Sequence, residues 1–324
     1  MALTVAMAFG VLLAVLVCSV LARKANRDVA ESRSRERRER IVAGLADGDT
    51  GPLEGALAGT RHPQEDAIAV LRANPGAGPA GLSPPEPLVR QLRSRSAPAR
   101  GRAVVLLGLL GAEESSAAVA ALLADENHDV RLAAATALEQ IGGATGAAAL
   151  VDALETELLS PSRVVERIAH PWAVEALLPE RGRFGTLART SLWRAAGLAQ
   201  AEEAVPVLRE VAREGEDEER ISAVRALGEL GSEEAADDLL AALADPLWQV
   251  RAQAATALGR LGDQAAVADL EHAMADQSWW VRTNAAIALG QLGEEGAAAL
   301  ERVAGGRDPY AAERAREALQ GVAA

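Results

Sequence analysis

DPLWQVRAQAATALGRLG at Asp245–Gly262 and DQSWWVRTNAAIALGQLG at Asp276–Gly293 are two copies of one pattern, 31 residues apart. A third copy, DENHDVRLAAATALEQIG, occupies Asp125–Gly142. Looser copies run over Glu214–Gly231 and Ser94–Gly111, and a weaker one over Arg183–Gln200 keeps Arg, Ala and Leu in register. The pattern is D-x4-V-R-x2-A-A-x-A-L-x2-[LI]-G, and self-similarity at a fixed period of this length marks a stack of repeated units. Its arginines are Arg100, Arg131, Arg189, Arg220, Arg251 and Arg282. Four of the five intervals between them are 31 residues; the fifth, from Arg131 to Arg189, is 58, which fits two units with the middle one shortened to 27. AVEALL at Ala173–Leu178 supplies the second half of that short unit, since it matches AVADLE at Ala266–Glu271 three periods later.

Each copy reads as a helical hairpin. Asp245 before Pro246 reads as an N-cap followed by proline in the first helical position, and Asp276 as the cap of the next unit. Val250, Ala254, Ala257, Leu258 and Leu261 recur at steps of three and four and form one apolar stripe, after which Gly262 ends the helix. A second helix follows with Val267, Leu270 and Met274 on its inner side. Neither helix buries its apolar face alone, so the units must stack. Composition agrees: hydrophobic residues make up 49% of the chain but aromatics only 2%, an Ala/Leu/Val balance suited to close-packed helices rather than strands.

The recurrent pattern closely resembles the HEAT repeats of the phycobilin-lyase (PBS lyase) subclass, over about Ser94–Gln320. The resemblance implies an all-α fold, an α-solenoid of about seven to eight HEAT-type hairpins over residues 94–324, with the shortened repeat near 160–182 and a polar cap at 308–324. It also implies that the Asp and Arg of the motif pair between neighbouring units. On that reading Asp125, Asp245 and Asp276, with the six motif arginines, form a structural ladder rather than a ligand site. Residues 44–93 read as a degenerate repeat and a linker, because NPGAGPAGLSPPEP at Asn74–Pro87 cannot be helical throughout.

The N-terminus reads differently. Ala2–Ala22 is an uncharged, mostly apolar run about as long as a membrane-crossing helix requires, so residues 1–22 are expected to form one transmembrane helix. A cleaved signal peptide is the rival reading, but it wants positive charge before the apolar run. Here the charge follows: Arg23–Arg40 holds eight Arg and Lys against four acids. The positive-inside rule then places the rest of the chain in the cytoplasm, as a single-pass protein of the cell membrane. Residues 23–43 lack Pro and Gly, and read as a charged helical stalk of about 30 Å drawn to anionic headgroups. From Ile41 onward the chain carries a net charge of −17.

No chemistry-bearing motif is evident: no Walker loop, dinucleotide fingerprint or nucleophile elbow. Cys18 is the sole cysteine, and His62, His128, His170 and His272 are scattered without ligand spacing, so neither a metal nor a cofactor is expected. Contact residues are sought instead among the five tryptophans. Trp248 and Trp279 hold the same slot 31 residues apart, which implies packing between units, whereas Trp280 stands where the preceding unit has Gln249 and should face outward. The second helices carry Glu202, Glu203, Glu233, Glu234, Asp237, Asp238, Glu271, Glu294, Glu295 and Glu301. Lining an inner curve, these would make either a solvated face or a groove for a basic segment. The candidate partner contacts are thus Trp280, Trp279, Trp248, Glu233, Glu234, Asp237 and Asp238.

The function expected is that of a membrane-tethered, non-catalytic scaffold that binds a protein partner, with a membrane-embedded enzyme or signalling complex favoured as the target. A phycobilin-lyase-like enzyme or chaperone is the alternative that the resemblance implies. A HEAT-like DNA glycosylase is a third; it needs a basic channel for phosphates, and the acidity of the chain argues against nucleic acid. No small-molecule substrate is evident.

Overall fold

The structure, a computed structural model, describes residues 2–74 and 82–322; for residues 2–22, 25 and 321–322 it describes the backbone alone. Among the described residues every regular element is helical, and the chain divides into two compact units, Met1–Ile141 and Gly142–Ala324.

The first unit comprises α1 (Ala2–Asp47), α2 (Gly51–Leu57), α3 (Arg61–Ala73), α4 (Glu86–Gln91), α5 (Ala97–Leu109), α6 (Ser116–Ala120) and α7 (His128–Ile141). The long helices α1, α3, α5 and α7 pack side by side in chain order, with the short ones between them. The second half of α1 is therefore a packed element of the row. Ile41 is buried, and Asp66 of α3, only 2% exposed, accepts hydrogen bonds from Arg37 (2.7 Å), Arg38 (2.9 Å) and the Ser34 hydroxyl. Burial, the largest influence on Asp66, pushes its carboxyl up, but Ser34 and the two guanidinium groups together hold it below the ordinary carboxylate range.

The second unit comprises α8 (Gly143–Glu155), α9 (Pro161–Ile168), α10 (Pro171–Leu177), α11 (Thr186–Ala199), α12 (Val205–Glu214), α13 (Asp217–Leu230), α14 (Ala236–Ala242), α15 (Trp248–Leu261), α16 (Val267–Ala273), α17 (Trp279–Gln291), α18 (Gly293–Ala304) and α19 (Pro309–Val322). Here α9, α11, α13, α15, α17 and α19 form the row of motif helices. Val250, Ala254, Ala257 and Leu258 of α15 are almost fully buried, as are Leu270 and Met274 from the second helix of that hairpin. Gly262 has φ +73° and sends its N–H back to Leu258 O, the left-handed cap that releases the chain into the next helix.

Contact between successive row helices depends on a glycine. A Cβ on Gly228 of α13 would lie 2.5 Å from Cβ and 2.8 Å from Cα of Ala257 on α15. Gly259 faces Ala288 of α17 in the same way, at 2.8 Å from its Cα, and Gly197 faces Ala226 at 3.0 Å. Backbones this close make dispersion contacts that larger residues would prevent. In the first unit Gly108 meets Ala137 by the same rule, 2.8 Å from its Cα.

Two expectations are corrected. The motif aspartates do not cap their helices: α15 begins at Trp248 with Leu247 as N-cap, and α17 at Trp279 with Ser278 as N-cap. Asp245 instead accepts the Leu247 N–H at 2.8 Å, and Asp276 the Ser278 N–H at 2.7 Å, because each carboxylate is already held outside the helix by an arginine of the preceding repeat. The single-pass membrane protein with a cytoplasmic solenoid is also corrected. Among the described residues no helix is long and apolar enough to cross a membrane. Ala2–Ala22, on which that expectation rested, lies within α1, with side chains outside the described residues.

Candidate partner-binding face

The motif arginines join two loops at once. Arg251 reaches back to Asp245 O (2.8 Å) in the loop before its own helix and forward to Asp276 Oδ1 and Oδ2 (3.0 and 2.7 Å) before the next one. Arg220 does the same with Gly215 O (3.0 Å) and Asp245 (2.9 and 3.2 Å), and Arg100 with Ser94 O and Asp125 (2.7 and 2.8 Å). Hydrogen bonds from Arg100 are the main influence on Asp125 and hold its carboxyl below the ordinary range. Asp276 is pushed up by burial, but Arg251 and the Ser278 N–H more than offset this, and its carboxyl too is lowered. Fork-shaped, charge-assisted pairs of this kind fix register as well as adding energy.

Arg131 has the backbone half of the arrangement, donating to Asp125 O at 2.8 Å. Arg282 donates to Asp276 O, and stands 3.6 Å from Asp308. Arg189 departs from the pattern in its acid. Its guanidinium binds Glu219 (2.7 and 3.2 Å), which also accepts the Trp193 indole N–H at 3.3 Å. Trp193 is 1% exposed. Glu219 was not among the expected ladder residues, yet it carries a signal: it stands immediately before Arg220, where Val130, Val250 and Val281 stand in other repeats.

The acidic residues divide. Asp238 is buried between Arg209 (2.6 Å) and Arg213 (2.8 Å), and Glu271 is paired with Arg302 at 2.6 Å, so both are engaged between second helices. Glu233, Glu234 and Asp237 are exposed. Trp172 opens α10 and stacks on His170 at 5.9 Å.

Aromatic surface gathers at the end of the row. Trp279, Trp280 and Tyr310 are 52%, 55% and 69% exposed, with Trp248 at 39% and Ile287 at 54%. Trp279 and Trp280 meet edge to face, with centroids 4.8 Å apart. The Arg314 guanidinium lies 5.8 Å from the Trp279 ring and that of Arg282 lies 5.7 Å from Tyr310. Beside this patch runs a groove of about 410 Å³ between α17 and α19, walled by Ala286, Ile287 and Gly290 on one side and Arg314, Glu317 and Ala318 on the other. Gly290 continues the 31-residue glycine series of Gly197, Gly228 and Gly259, but it lines an open groove.

The pattern of HEAT repeats matches residues 85–167, 184–247 and 237–320, more than half of the sequence. The chain belongs to the HEAT-repeat family. No curated protein matches it. Among solved structures it is similar to the complex of CpcE and CpcF of phycocyanin lyase from Nostoc sp., at 21% identity over 75% of this chain and 97% of that one, with a TM-score of 0.34. Human deoxyhypusine hydroxylase is 22% identical over 88% of this chain and 99% of that one, with a TM-score of 0.34. An engineered protein is 18% identical over 91% and 96%, with a TM-score of 0.37.

Proposed function

We propose that this HEAT-repeat chain is a scaffold that binds a protein partner across the outer faces of α17 and α19. The observation that carries the reading is the distribution of aromatic surface. In a chain with 2% aromatics, the three aromatic residues more than half exposed among the described residues, Trp279, Trp280 and Tyr310, all fall on α17 and α19. Trp and Tyr are the side chains that most often dominate binding energy, and contiguous exposed apolar patches mark interaction surfaces. Trp248 extends the candidate contact onto α15. Asp238 does not belong to it, because its carboxylate is spent on Arg209 and Arg213. The task proposed for the site is capture and presentation, for which a long row of helices supplies area without any reacting group.

A photo-reactive amino acid at position 280, compared with one at the exposed Arg260 on the neighbouring helix, tests this in cells that express the full chain. Discrete protein adducts should form from 280 and not from 260. Adducts from 260 or from Glu234, with none from 280, would remove the aromatic face from the account.

A further inference from the structure

One face of α1 carries a stripe of arginines. Arg33, Arg37 and Arg40 are spaced by four and three residues and so fall on one side of the helix. The glutamates between them are engaged along α1 itself: Glu36 takes the Ser32 hydroxyl at 3.4 Å, and Glu39 pairs with Arg35 at 2.9 Å. The stripe borders a trench. Two recesses of about 320 Å³ each lie between α1 and the α2–α3 pair, and they share Arg37 and Pro63. Together they follow α1 from Ala30 to Ile41, about 16 Å of helix at 1.5 Å per residue. Ile41 and Ala56, both buried, and Pro52 and Pro63, both half-buried, give them an apolar lining.

The charge along this trench is not balanced from within. Four arginines line it against two carboxylates, and both carboxylates are taken. Glu65 is held by Arg61 at 2.8 Å, and Asp66 lies buried beneath the Nε groups of Arg37 and Arg38. Arg33 has no hydrogen-bond or ion-pair partner among the described residues, and Arg40 reaches only the Glu36 carbonyl, at 3.4 Å. An apolar recess edged by uncompensated guanidinium groups is complementary to a chain that alternates carboxylates with apolar side chains. A flat anionic surface would reach the rim and leave the lining uncovered, and a free anion would leave most of the volume empty. Arg33 and Arg40 are seven residues apart, about 10.5 Å along the helix, which is the reach of three residues of extended chain.

We infer that the trench beside α1 docks an extended acidic segment of a partner protein, with carboxylates three residues apart on Arg33 and Arg40 and an apolar side chain between them in the recess. This contact is additional to the α17–α19 face and does not depend on it. The test is fluorescence anisotropy at low salt, with the full chain and a labelled peptide of Glu-Leu-Leu-Glu units. A chain of net charge −13 repels such a peptide in general, so its capture reports the basic stripe. Binding should weaken roughly tenfold in Arg33→Glu/Arg40→Glu, which reverses the two uncompensated charges. It should also be lost in Gly55→Leu, which fills the recess without altering charge; a Cβ on Gly55 meets nothing within 4 Å, so the new side chain enters open space. All three positions are exposed, and circular dichroism of the variants should match the wild type. A peptide with Gln in place of each Glu should not bind.

No binding to the wild type overturns the inference, as does equal binding to the wild type and both variants, or equal binding of the Gln peptide. Complete displacement of the peptide by inorganic phosphate at matched ionic strength would assign the trench to a free anion. Capture by phosphatidylserine vesicles in place of the peptide would assign it to a lipid surface, and a dimer in sedimentation that Arg33→Glu/Arg40→Glu splits would assign it to a second copy. Each of these three results also removes the acidic segment from the trench.

Discussion

Gly228→Ala and Gly55→Ala make the same chemical change in two helices and should move stability in opposite directions. In α2, a Cβ on Gly55 meets nothing within 4 Å, so alanine there gains only helix propensity, about 0.5–1 kcal/mol. In α13 the same Cβ would sit 2.5 Å from Ala257 Cβ and 2.8 Å from Ala257 Cα. Carbon atoms prefer about 3.5–4.0 Å, so α13 and α15 must separate by about 1 Å along their line of contact. The obstructing atoms belong to a helix backbone and cannot swing aside. The overpacking cost should therefore lie near the top of the ~1–3 kcal/mol range, and after the ~1 kcal/mol propensity gain about 2 kcal/mol of destabilisation remains. Repeat arrays distribute such effects to nearest neighbours, so hydrogen exchange is a better readout than one global melt. Amides of α13 and α15 should exchange roughly 30-fold faster, the equivalent of 2 kcal/mol, while those of α3 stay unchanged. Ala257→Gly in the Gly228→Ala background removes the nearer obstructing atom and should restore part of the protection. If Gly228→Ala slows exchange as Gly55→Ala does, the glycine is not a spacing element and the account of how the row helices meet is wrong.

Asp276→Ala leaves Arg251 with only its loop carbonyl partners, and should cost roughly 2–3 kcal/mol, somewhat below the ~3–5 of a fully buried broken pair; an exchange-measured loss at α15–α17 under 0.5 kcal/mol would show the pair to be ornamental. Asp66→Ala should loosen α1 from α3 and accelerate tryptic cleavage after Arg33, Arg35, Arg37 and Arg38 by roughly 30-fold, taking about 2 kcal/mol for the lost contacts; unchanged cleavage would mean Ile41 holds the helix by itself. Asp66, Asp125, Glu219 and Asp276 all have carboxyl groups lowered by folding, so their stabilisation is complete above the unfolded values of about 3.9–4.3 and lost as pH falls through the lower, folded ones. Thermal stability should therefore be flat from neutrality to about pH 5 and decline below about pH 4, with a shallower decline in Asp276→Asn; a ladder-dependent loss between neutrality and pH 6 would contradict the sign.

The period and the hairpins are legible because burial repeats: Val250 and Leu258 return at Val281 and Leu289, and no other arrangement hides both sets. The glycine contacts were equally present, as Gly197, Gly228, Gly259 and Gly290 at 31-residue steps, but a glycine inside a helix reads locally as a propensity penalty. Only coordinates show that the missing Cβ is space occupied by the next backbone. Asp245 reads as a cap for a related reason. Asp-Pro before an apolar run is the local signature of a cap, and nothing local reveals that Arg220, 25 residues earlier, already holds the carboxylate. The packing of α1 was hidden because Arg37 and Arg38 look solvated until Asp66 is placed beneath them. Glu219, like Trp280, departs from the repeat in a way that the sequence alone displays.

These details bear on where binding surface can arise. At four pairs of row helices, α5–α7, α11–α13, α13–α15 and α15–α17, contact is closed twice, by a glycine that lets backbones touch and by an arginine that ties two loops. At α17 the arginine tie is longer: Arg282 is 3.6 Å from Asp308 where Arg251 is 2.7 Å from Asp276, and Gly290 lines the groove between α17 and α19. The apolar residues Trp280 and Ile287, which replace Gln249 and Thr256 of the preceding helix, lie on the outer face of this loosened interface. This face of α17 is thus a place where a surface of this composition can hold a partner without dismantling a repeat. Restoring the interior geometry there, by closing α19 onto α17, should abolish binding while raising stability.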